Sequence, residues 1–265
     1  MSSANEAATR PLDEKTAIVV GAAGGIGRNI AALLAERGAT VVFADRDEAG
    51  ARAAAAESGG RATGAGLDAT DSAQCDALVA KTAAEHGGLD LLVYAAGIMT
   101  ARPAGPDGEV FVPLLDQDDD GWRHVLDVNL TGGFYTLRAG ARAMVEAGRG
   151  GSIVALTSGG AVRPLVGRGP YCVSKAGLAM LVKSLADEVA SAGVRVNAVA
   201  PGITETPMTA ELLNDPVRSA ALPLPPLGRH GKPDDIASAV AFLLGPESAF
   251  ISGKTLYVDG GVFNG

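Results

Sequence analysis

Short apolar runs rich in β-branched residues alternate with alanine-rich segments along almost the whole chain, and this alternation restricts the possible folds more than any other feature. The apolar runs predict strands at Thr16–Gly21, Thr40–Ala44, Ala62–Leu67, Leu89–Ala95, Ser152–Thr157, Val194–Val199 and Thr255–Val258. The alanine-rich segments predict helices at Gly25–Arg37, Asp47–Ser58, Asp71–His86, Asp119–Ala147, Tyr171–Ala192 and Asp234–Leu244. Strands that are apolar throughout are typically covered on both faces. The pattern therefore predicts an α/β fold, a doubly wound and mostly parallel sheet with helices on both faces.

The chain of 265 residues shows no break in composition that would mark a second domain. We expect a loose tail at residues 1–13 and a single domain at residues 14–265. Two segments interrupt the alternation. Residues 100–118 are rich in Pro, Gly and Asp, which predicts an excursion above the strand ends. Residues 206–232 hold five prolines among apolar residues, and we interpret them as a lid or binding loop, with irregular surface packing as the alternative.

Composition and charge exclude several classes of function. A net charge of −8 and a pI near 4.9 leave no basic surface for nucleic acid or an anionic membrane. No apolar stretch reaches the roughly 18 residues of a membrane span, and the first residues lack a secretory signal. We therefore expect a cytoplasmic protein. Cys75 and Cys172 lie far apart, without the spacing of a redox or metal site, so no metal is expected.

A glycine-rich loop connects the first predicted strand to the first predicted helix. It contains Gly21, Gly25, Ile26 and Gly27 in the spacing G-x-x-x-G-x-G. Glycines permit a tight turn and let backbone N–H groups approach a pyrophosphate, while the start of a helix supplies positive potential. The loop is therefore a candidate dinucleotide site, although glycine-rich runs arise easily by chance in a chain with 36 glycines.

An acidic residue at the end of the second predicted strand strengthens this interpretation. Asp45 lies eighteen residues after Gly27, where a carboxylate can accept both hydroxyls of an adenosine ribose. The same charge repels a 2′-phosphate, so we expect NAD(H) rather than NADP(H). The neighbouring Arg46 argues in the other direction, because an arginine there can bind that phosphate. Asp45 by itself is also compatible with a helix N-cap.

Tyr171 and Lys175 are four residues apart in a predicted helix, which puts the phenol and the ammonium on one face. A free phenol, with a pKa of about 10, is too weak a base at neutral pH, and a nearby cation favours its ionised form. Together with Ser158 upstream, the pair suits a general acid/base that exchanges a proton with an oxygen atom. Surface residues that stabilise a helix are the alternative.

These features occur in the order found in the short-chain dehydrogenase/reductase family, which the chain resembles from about residue 14 to residue 262. The matching positions are Gly21, Gly25, Ile26, Gly27, Asp45, Leu67, Asp68, Ala95, Ala96, Gly97, Val128, Asn129, Ser158, Tyr171, Lys175, Pro201, Gly202 and Val258–Gly261. The resemblance implies a seven-stranded Rossmann-type sheet and assembly as a homotetramer. It also implies an enzyme that uses a nicotinamide dinucleotide.

The resemblance implies a role for each matching residue. Tyr171 would be the catalytic acid/base, and Lys175 would lower its pKa and bind the nicotinamide ribose. Ser158 would orient the substrate oxygen and stabilise its developing charge. Asn129 would hold a water that connects Lys175 to solvent. The other implied cofactor contacts are the adenine site at Leu67 and Asp68, the backbone at Ala96 and Gly97, the nicotinamide site at Pro201, Gly202 and Thr204, and the pyrophosphate neighbour Thr206.

The chain departs from the family pattern at three places. Val20 replaces the usual Thr before the glycine loop, which removes a hydroxyl that commonly braces it. Tyr94 begins a Tyr-Ala-Ala-Gly sequence in place of the frequent Asn-Asn-Ala-Gly, so we expect the tie between this turn and the sheet to be lost. The interval from Gly97 to Asn129 is also longer than is usual, by about ten residues, and lies near the rim of the site.

The sequence predicts an NAD(H)-dependent oxidoreductase that interconverts a secondary alcohol and a ketone. One alternative is an NADP(H)-dependent 3-oxoacyl-thioester reductase, for which Arg163 and Arg168 would supply local positive charge. Another is a catalytically silent dinucleotide sensor. Leucines and Met208 in the lid favour an alcohol or ketone with an apolar body. Because the chain ends in apolar residues, including Val262 and Phe263, we expect this segment at a subunit interface.

Overall fold

The computed structural model describes residues 12–100, 112–215 and 224–263. Within them, seven strands form one parallel sheet in the order β3-β2-β1-β4-β5-β6-β7. The strands are β1 Thr16–Val20, β2 Thr40–Asp45, β3 Ala62–Gly66, β4 Leu91–Tyr94, β5 Gly151–Leu156, β6 Val194–Pro201 and β7 Thr255–Val258. The predicted α/β class, the parallel sheet and the number of strands are confirmed.

Helices cover both faces of this sheet. They are α1 Gly25–Glu36, α2 Glu48–Ser58, α3 Ser72–His86, α4 Asp119–Leu126, α5 Gly132–Ala147, α6 Gly169–Val189, α7 Ala210–Asn214 and α8 Pro233–Leu244. One apolar core contains α1, α2 and α8, and the other contains α3, α5 and α6. Successive residues of β1 alternate between these cores, because neighbouring side chains of a strand point to opposite faces. This explains why the central strands are apolar at every position.

The sheet order reverses its direction between β1 and β4. From β1 the chain winds outward to β2 and β3, and it then returns to place β4 on the other side of β1. The loops that follow β1 and β4 consequently diverge and leave a crevice above the carboxyl ends of the strands. Ligands of open α/β sheets bind at such a switch point.

The longest predicted helix, Asp119–Ala147, is interrupted in the structure. A π-helical turn at Asp127–Thr131 separates α4 from α5, and the N–H of Gly132 bonds to the carbonyl of Asp127 across it. Apolar periodicity does not distinguish such a turn from α-helix, since it adds only one residue to a single turn. The fifth predicted helix, Tyr171–Ala192, begins earlier than expected, at Gly169, because Pro170 is tolerated in the first turn of a helix.

Three predicted segments fall partly outside the described residues. Of the excursion at 100–118, residues 101–111 are not described, and Leu114–Asp116 forms a short 3₁₀ turn. Of the lid at 206–232, residues 216–223 are not described, and α7 occupies part of the remainder. Of the tail at 1–13, Leu12 is described and is packed in the core, where its N–H bonds to the carbonyl of Arg37.

The described residues lack two features, a membrane-spanning helix and a cluster of metal ligands. None of the described helices is long and apolar enough to cross a membrane. Across the same ranges, no group of three or more His, Cys, Asp or Glu side chains is arranged to hold a metal ion.

Candidate active site

A cavity of about 940 Å³ lies above the carboxyl ends of the strands, at the switch point of the sheet. The predicted site residues come from loops distributed over most of the chain, and the fold brings them together here. Those that line the cavity are Gly21, Gly25, Ile26, Gly27, Asp45, Arg46, Leu67, Asp68, Ala96, Gly97, Ser158, Tyr171, Lys175, Pro201, Gly202, Thr204 and Thr206. Asn129, the remaining predicted residue, is fully buried behind the wall.

The glycine loop has no space for side chains on its inner side. A Cβ at Gly21, whose φ is +87°, would lie 2.5 Å from the backbone nitrogen of Ala96, and a Cβ at Gly27 would lie 2.0 Å from the carbonyl oxygen of Gly21. Gly24, in contrast, has no heavy atom within 4 Å of its Cβ position. The loop is therefore packed tightly against the turn after β4 and open toward the cavity.

The start of α1 opens on the same cavity. Gly24 precedes the helix, and no side chain caps the first N–H groups of α1. Free N–H groups and the helix dipole suit an anion, and the missing side chains allow close approach. Thr206 lies beside this loop, since its Cβ is 3.9 Å from the Cβ position of Gly25. The residues present fit the pyrophosphate of a dinucleotide.

Asp45 braces the glycine loop from the end of β2. Its Oδ2 accepts a hydrogen bond from the N–H of Ala23, and its Oδ1 accepts one from the N–H of Asp47, both at 3.0 Å. The N-cap of α2 is Asp47, which accepts a bond from Gly50 at 3.0 Å. The interpretation of Asp45 as a helix cap is therefore wrong.

Asp68 and Arg46 face each other at the outer end of the cavity. Thr70 donates to Asp68 Oδ1 from its hydroxyl at 2.7 Å and from its N–H at 2.9 Å. These bonds hold the pKa of the Asp68 carboxyl below its usual value, and the charge of Arg46 lowers that pKa further. Asp68 is therefore an ionised acceptor near the guanidinium, beside the carboxylate of Asp45.

Ser158, Tyr171 and Lys175 meet at the inner end of the cavity. Ser158 follows β5, while Tyr171 and Lys175 lie on successive turns of α6. A Cβ at Gly160 would lie 3.4 Å from both Ser158 Oγ and Tyr171 Cε1, so these two side chains border one point. Lys175 is 4% exposed, its Nζ lies 5.9 Å from the centroid of the Tyr171 ring, and it donates to the Leu156 carbonyl at 2.9 Å.

Burial controls the ionisation of both titratable groups. It raises the pKa of the Tyr171 phenol, against a smaller lowering by the hydrogen bond to Ser158. It also lowers the pKa of the Lys175 ammonium to about 8. The contributions that lower the Tyr171 pKa come from Ser158 and Arg168. Lys175 is directed to a carbonyl, and the lowering of the Tyr171 pKa that we expect from it stays a prediction.

Asn129 lies in the π turn and is bonded entirely to protein groups. Its Nδ2 donates to the Ile98 carbonyl at 2.8 Å and to Ser174 Oγ at 3.0 Å, and its Oδ1 accepts from the Ile98 N–H at 2.8 Å. The amide thus connects the turn after β4 to α6. The tie between that turn and the sheet, which we expect to be lost, is a different contact, and Asn129 holds the turn from the side of α6.

The nicotinamide side of the predicted site is formed after β6. Thr204 donates from Oγ1 to the Gly202 carbonyl at 3.0 Å, and the N–H of Thr206 donates to Thr209 Oγ1 at 3.1 Å. Gly202 packs against the C-terminal segment, because a Cβ there would lie 2.8 Å from the Cα of Asp259. These bonds fix a backbone wall on the side of the cavity that faces Tyr171 and Lys175.

The sequence did not identify most of the residues at the remaining end of the cavity, which we call the substrate end. They are Ile98, Met99, His124, Arg163, Pro164, Leu165, Val166, Arg168, Met208, Leu212, Val262 and Phe263. Apolar side chains predominate among them. Arg168 is 5% exposed and contacts Met99 Sδ at 2.9 Å. The motif spacing does not mark these residues, because the loops that carry them have no fixed length or sequence.

The last described residues fold back into the cavity of their own chain. Asp259 accepts backbone bonds from Gly261 and Phe263, both at 2.9 Å. The ring of Phe263 lies against Gly159, where a Cβ would be 2.3 Å from Phe263 Cε2. Val262 and Phe263 therefore form a wall beside Ser158, and their position at a subunit interface stays a prediction.

Comparison with known proteins gives consistent matches over nearly the whole chain. A family model described as enoyl-(acyl carrier protein) reductase matches residues 21–263. The 3-oxoacyl-(acyl-carrier-protein) reductase FabG of Vibrio cholerae is 41% identical over 252 residues, which are 95% of this chain and 98% of that protein. The cis-4-hydroxycyclohexanecarboxylate dehydrogenase of Sinomonas cyclohexanicum is also 41% identical, over 94% and 96% of the two chains.

Solved structures agree with the sequence matches. A short-chain type dehydrogenase/reductase from Mycobacterium marinum superposes with a TM-score of 0.86 at 32% identity, over 95% of this chain and 96% of that one. The chain belongs to the short-chain dehydrogenase/reductase family. It is accordingly an oxidoreductase that acts on hydroxyl or keto groups with a nicotinamide cofactor, as the resemblance implied.

Proposed function

We propose that the protein is an NAD(H)-dependent oxidoreductase that interconverts a secondary alcohol and a ketone. One observation carries this proposal. The Tyr171 phenol and the Ser158 hydroxyl are hydrogen-bonded to each other, and both line a cavity whose other end is formed by the open glycine loop. A substrate oxygen beside this pair would have an acid/base and a hydrogen-bond partner within reach, as proton transfer to a carbonyl requires.

The chain's own residues bind the cofactor, orient the substrate and move the proton. The bound nicotinamide supplies the hydride acceptor or donor. Gly21, Gly25, Ile26 and Gly27 would hold the pyrophosphate, with Thr206 beside it. The adenosine part would contact Asp45, Arg46, Leu67 and Asp68, and the nicotinamide part would contact Ala96, Gly97, Pro201, Gly202 and Thr204.

Tyr171 gives its phenolic proton to the substrate oxygen during reduction and removes it during oxidation. Ser158 donates a hydrogen bond that stabilises the negative charge developing on that oxygen. Lys175 binds the nicotinamide ribose hydroxyls through its ammonium, which is buried in the same wall. Asn129 fixes the turn that carries Gly97. Because its Nδ2 is bonded to Ile98 and Ser174, a water that replenishes the proton through Lys175 would use the second lone pair of Oδ1.

We infer a preference for NAD(H) from the position of Asp45. Its carboxylate is fixed by two backbone bonds and lines the cavity, so that a 2′-phosphate there would meet a fixed negative charge. Arg46 also lines the cavity and favours the opposite choice. We give more weight to Asp45 because its carboxylate is fixed in place.

A second candidate function is the NADP(H)-dependent reduction of a 3-oxoacyl thioester. Two observations favour it: the similarity to the reductase of Vibrio cholerae, and the guanidinium groups of Arg163 and Arg168 at the substrate end. The two functions differ in both cofactor and substrate. The net charge of −8 favours the first, since an acidic carrier protein prefers a basic docking surface.

The experiment is a substrate panel followed by absorbance of the reduced cofactor. Secondary alcohols with apolar bodies, hydroxy acids and a 3-oxoacyl thioester are each tested with NAD(H) and NADP(H). We expect turnover of an alcohol or ketone with NAD(H). Exclusive turnover of the thioester with NADPH would support the second candidate. Binding of NADH without turnover of any substrate would instead support a catalytically silent sensor.

We also propose a homotetramer. The outer faces of α5 and α6 leave large apolar side chains open to solvent: Phe134 is 40%, Val173 is 46% and Met180 is 59% exposed. Apolar residues clustered in this way commonly mark an association surface. Light scattering at micromolar concentration measures the mass directly, and a monomeric mass would contradict the proposal.

A further inference from the structure

Tyr94 lies at the end of β4 and is fully buried between two parts of the active site. Its hydroxyl donates a hydrogen bond to the carbonyl oxygen of Val128, the residue before Asn129 in the π turn. The family pattern has Asn at the position of Tyr94, so that this contact belongs to the particular sequence of this chain. Tyr94 is thus the side chain that joins the central strand to the π turn.

The first two residues of α5 form a slot for the Tyr94 ring. A Cβ at Gly132 would lie 2.8 Å from the Tyr94 hydroxyl oxygen. A Cβ at Gly133 would lie 3.2 Å from Tyr94 Cε1 and 2.9 Å from a methyl group of Leu178. Any larger residue at these positions would displace the ring or the helix. The strand, the π turn and the start of α5 are therefore fitted to one another around Tyr94.

Hydrogen bonds continue from the π turn to the catalytic helix. Asn129 donates to Ser174 Oγ at 3.0 Å, and Ser174 Oγ donates to the Tyr171 carbonyl at 2.7 Å. Asn129 also holds both backbone groups of Ile98, next to Gly97. A shift of the π turn would therefore move the backbone of Tyr171 and the turn after β4 together.

The Tyr94 hydroxyl is a constant donor in this network. Burial raises the pKa of the phenol, so it remains protonated over the working range of an enzyme. A π turn is an uncommon local structure that occurs frequently at functional sites. It depends on surrounding contacts, because the same residues could form regular α-helix with a different orientation of Asn129.

We propose that Tyr94 is a positioning residue of the active site. By holding the Val128 carbonyl, it fixes the π turn and, through Asn129 and Ser174, the backbone of Tyr171. This inference rests on the proposed function, in which Tyr171 transfers the proton. It predicts that the Tyr94 hydroxyl affects the chemical step although it does not touch the cavity.

The test is Tyr94→Phe, which keeps the ring in its slot and removes only the hydroxyl. We expect kcat to fall about tenfold, which corresponds to about 1.4 kcal/mol, the scale of one hydrogen bond. The dissociation constant of NADH and the KM of the substrate should change less than kcat does, because the turn after β4 keeps a second anchor in the bond from the Ala95 N–H to the Val20 carbonyl at 2.8 Å.

The matched control is Thr136→Val, which removes another buried hydroxyl in the same layer. Thr136 is 2% exposed and contacts Cys75 Sγ at 3.6 Å, and this contact is not one of the hydrogen bonds that hold the π turn. Both variants should lower the melting temperature by a few degrees, as loss of one buried polar contact does. Only Tyr94→Phe should lower kcat.

A double-mutant cycle distinguishes positioning from packing. In an Asn129→Ala background, Tyr94→Phe should no longer lower kcat, because the path to Tyr171 is already broken. Should Asn129→Ala fail to fold, Ser174→Ala breaks the same path one step later. A kcat of Tyr94→Phe equal to that of the unmodified enzyme, or an undiminished effect in either background, would overturn the proposal.

The positioning role of Tyr94 and the proposed function can each be refuted without the other. If Tyr171→Phe retains full turnover, the assignment of the acid/base is wrong whatever Tyr94 does. If Tyr171→Phe is inactive and Tyr94→Phe is fully active, the proposed function stands and the positioning role is refuted.

Discussion

The two ends of the cavity are built from different kinds of structure. We call the end lined by the glycine loop, Asp45 and Asp68 the cofactor end, and it lies opposite the substrate end. The cofactor end consists of short turns directly after the strands, held by backbone bonds such as Gly21 N–H to the Ala44 carbonyl at 2.8 Å and Leu67 N–H to the Asp45 carbonyl at 2.8 Å. The substrate end consists of side chains from the lid, the loop before α6 and the C-terminal segment. Several of these are open to solvent, including Val166 at 93% and Met208 at 48% exposure.

Because of this difference, the backbone geometry of the cofactor end must stay the same within the fold, whereas the loops of the substrate end can vary. A turn at the end of a buried strand has its position set by the sheet, so its sequence must satisfy a fixed backbone geometry. Loops that leave the sheet have no such restriction and can change length and side chains. The cofactor end therefore defines the reaction class, whereas the substrate end selects the molecule.

The largest expected effect comes from a change at Tyr171, which lies between the two ends, and this change should leave both ends intact. Tyr171→Phe removes the proton donor and retains the ring against Gly160. We expect kcat to fall by about 10³-fold, within the range for loss of a general acid/base, with little change in NADH affinity. Stopped-flow measurement of reduced cofactor gives kcat, and fluorescence titration gives the affinity. Turnover near that of the unmodified enzyme would refute the assignment.

A change at Asp45 should act on the cofactor end alone. Asp45→Ala should reduce the preference for NAD(H) over NADP(H) by about 1–3 kcal/mol, equivalent to roughly 5- to 150-fold. Asp45→Asn is the informative partner, because it keeps an acceptor for the Ala23 N–H while it removes the charge. It should shift the preference in the same direction and lose less stability. An NADP(H) preference in the unmodified enzyme would refute this interpretation and direct attention to Arg46.

The ionisation of Lys175 should make cofactor binding depend on pH. Burial lowers the pKa of the ammonium to about 8, so below pH 8 the side chain is mainly charged and above it mainly neutral. If the ammonium binds the ribose hydroxyls, NADH affinity should be constant below pH 8. It should then fall by up to about tenfold per pH unit above it, until the pKa of the bound state is reached. Titration calorimetry from pH 6 to pH 10 measures this.

The control for this experiment is Lys175→Met, which retains much of the apolar stem. Its NADH affinity should be lower than that of the unmodified enzyme at neutral pH and should lack the fall above pH 8. An unchanged affinity for NADH at neutral pH would show that Lys175 does not contact the cofactor.

The cofactor end could be predicted from the sequence in detail, because its requirements are local. The glycine spacing, Asp45 after a buried strand and Tyr171 four residues before Lys175 all follow from backbone geometry that short segments determine. The structure brings these residues to one cavity. The shift in the Tyr171 pKa was not predictable in this way, since burial depends on residues distant in sequence.

The sequence pattern also could not predict that the helix is interrupted at Asn129. Asn129 is buried and polar, which indicates a need for partners, but its partners Ile98 and Ser174 are 31 and 45 residues away. The slot for Tyr94 at Gly132 and Gly133 depends on a similar long-range fit. Two adjacent glycines in the middle of the predicted helix Asp119–Ala147 were the available signal, because glycine inside a helix lowers its stability and therefore indicates a packing reason.

The smallest expected effect concerns the C-terminal wall and is confined to the substrate end. Phe263→Ala removes the ring that lies against Gly159 beside Ser158, and it leaves the glycine loop untouched. We expect kcat/KM to rise a few-fold for ketones with a bulky substituent, relative to small ones, because Phe263 is only half-buried and a substituent in its place would regain less than the roughly 1–3 kcal/mol of a fully enclosed methylene. The KM of NADH should not change.

Tyr257→Ala is the control, since the Tyr257 ring packs on the Phe263 ring, with centroids 5.5 Å apart, and is not among the described residues that line the cavity. An identical substrate profile for Phe263→Ala and the unmodified enzyme would show that the C-terminal segment only supports the fold. A change in NADH binding would show instead that the two ends of the cavity are not independent.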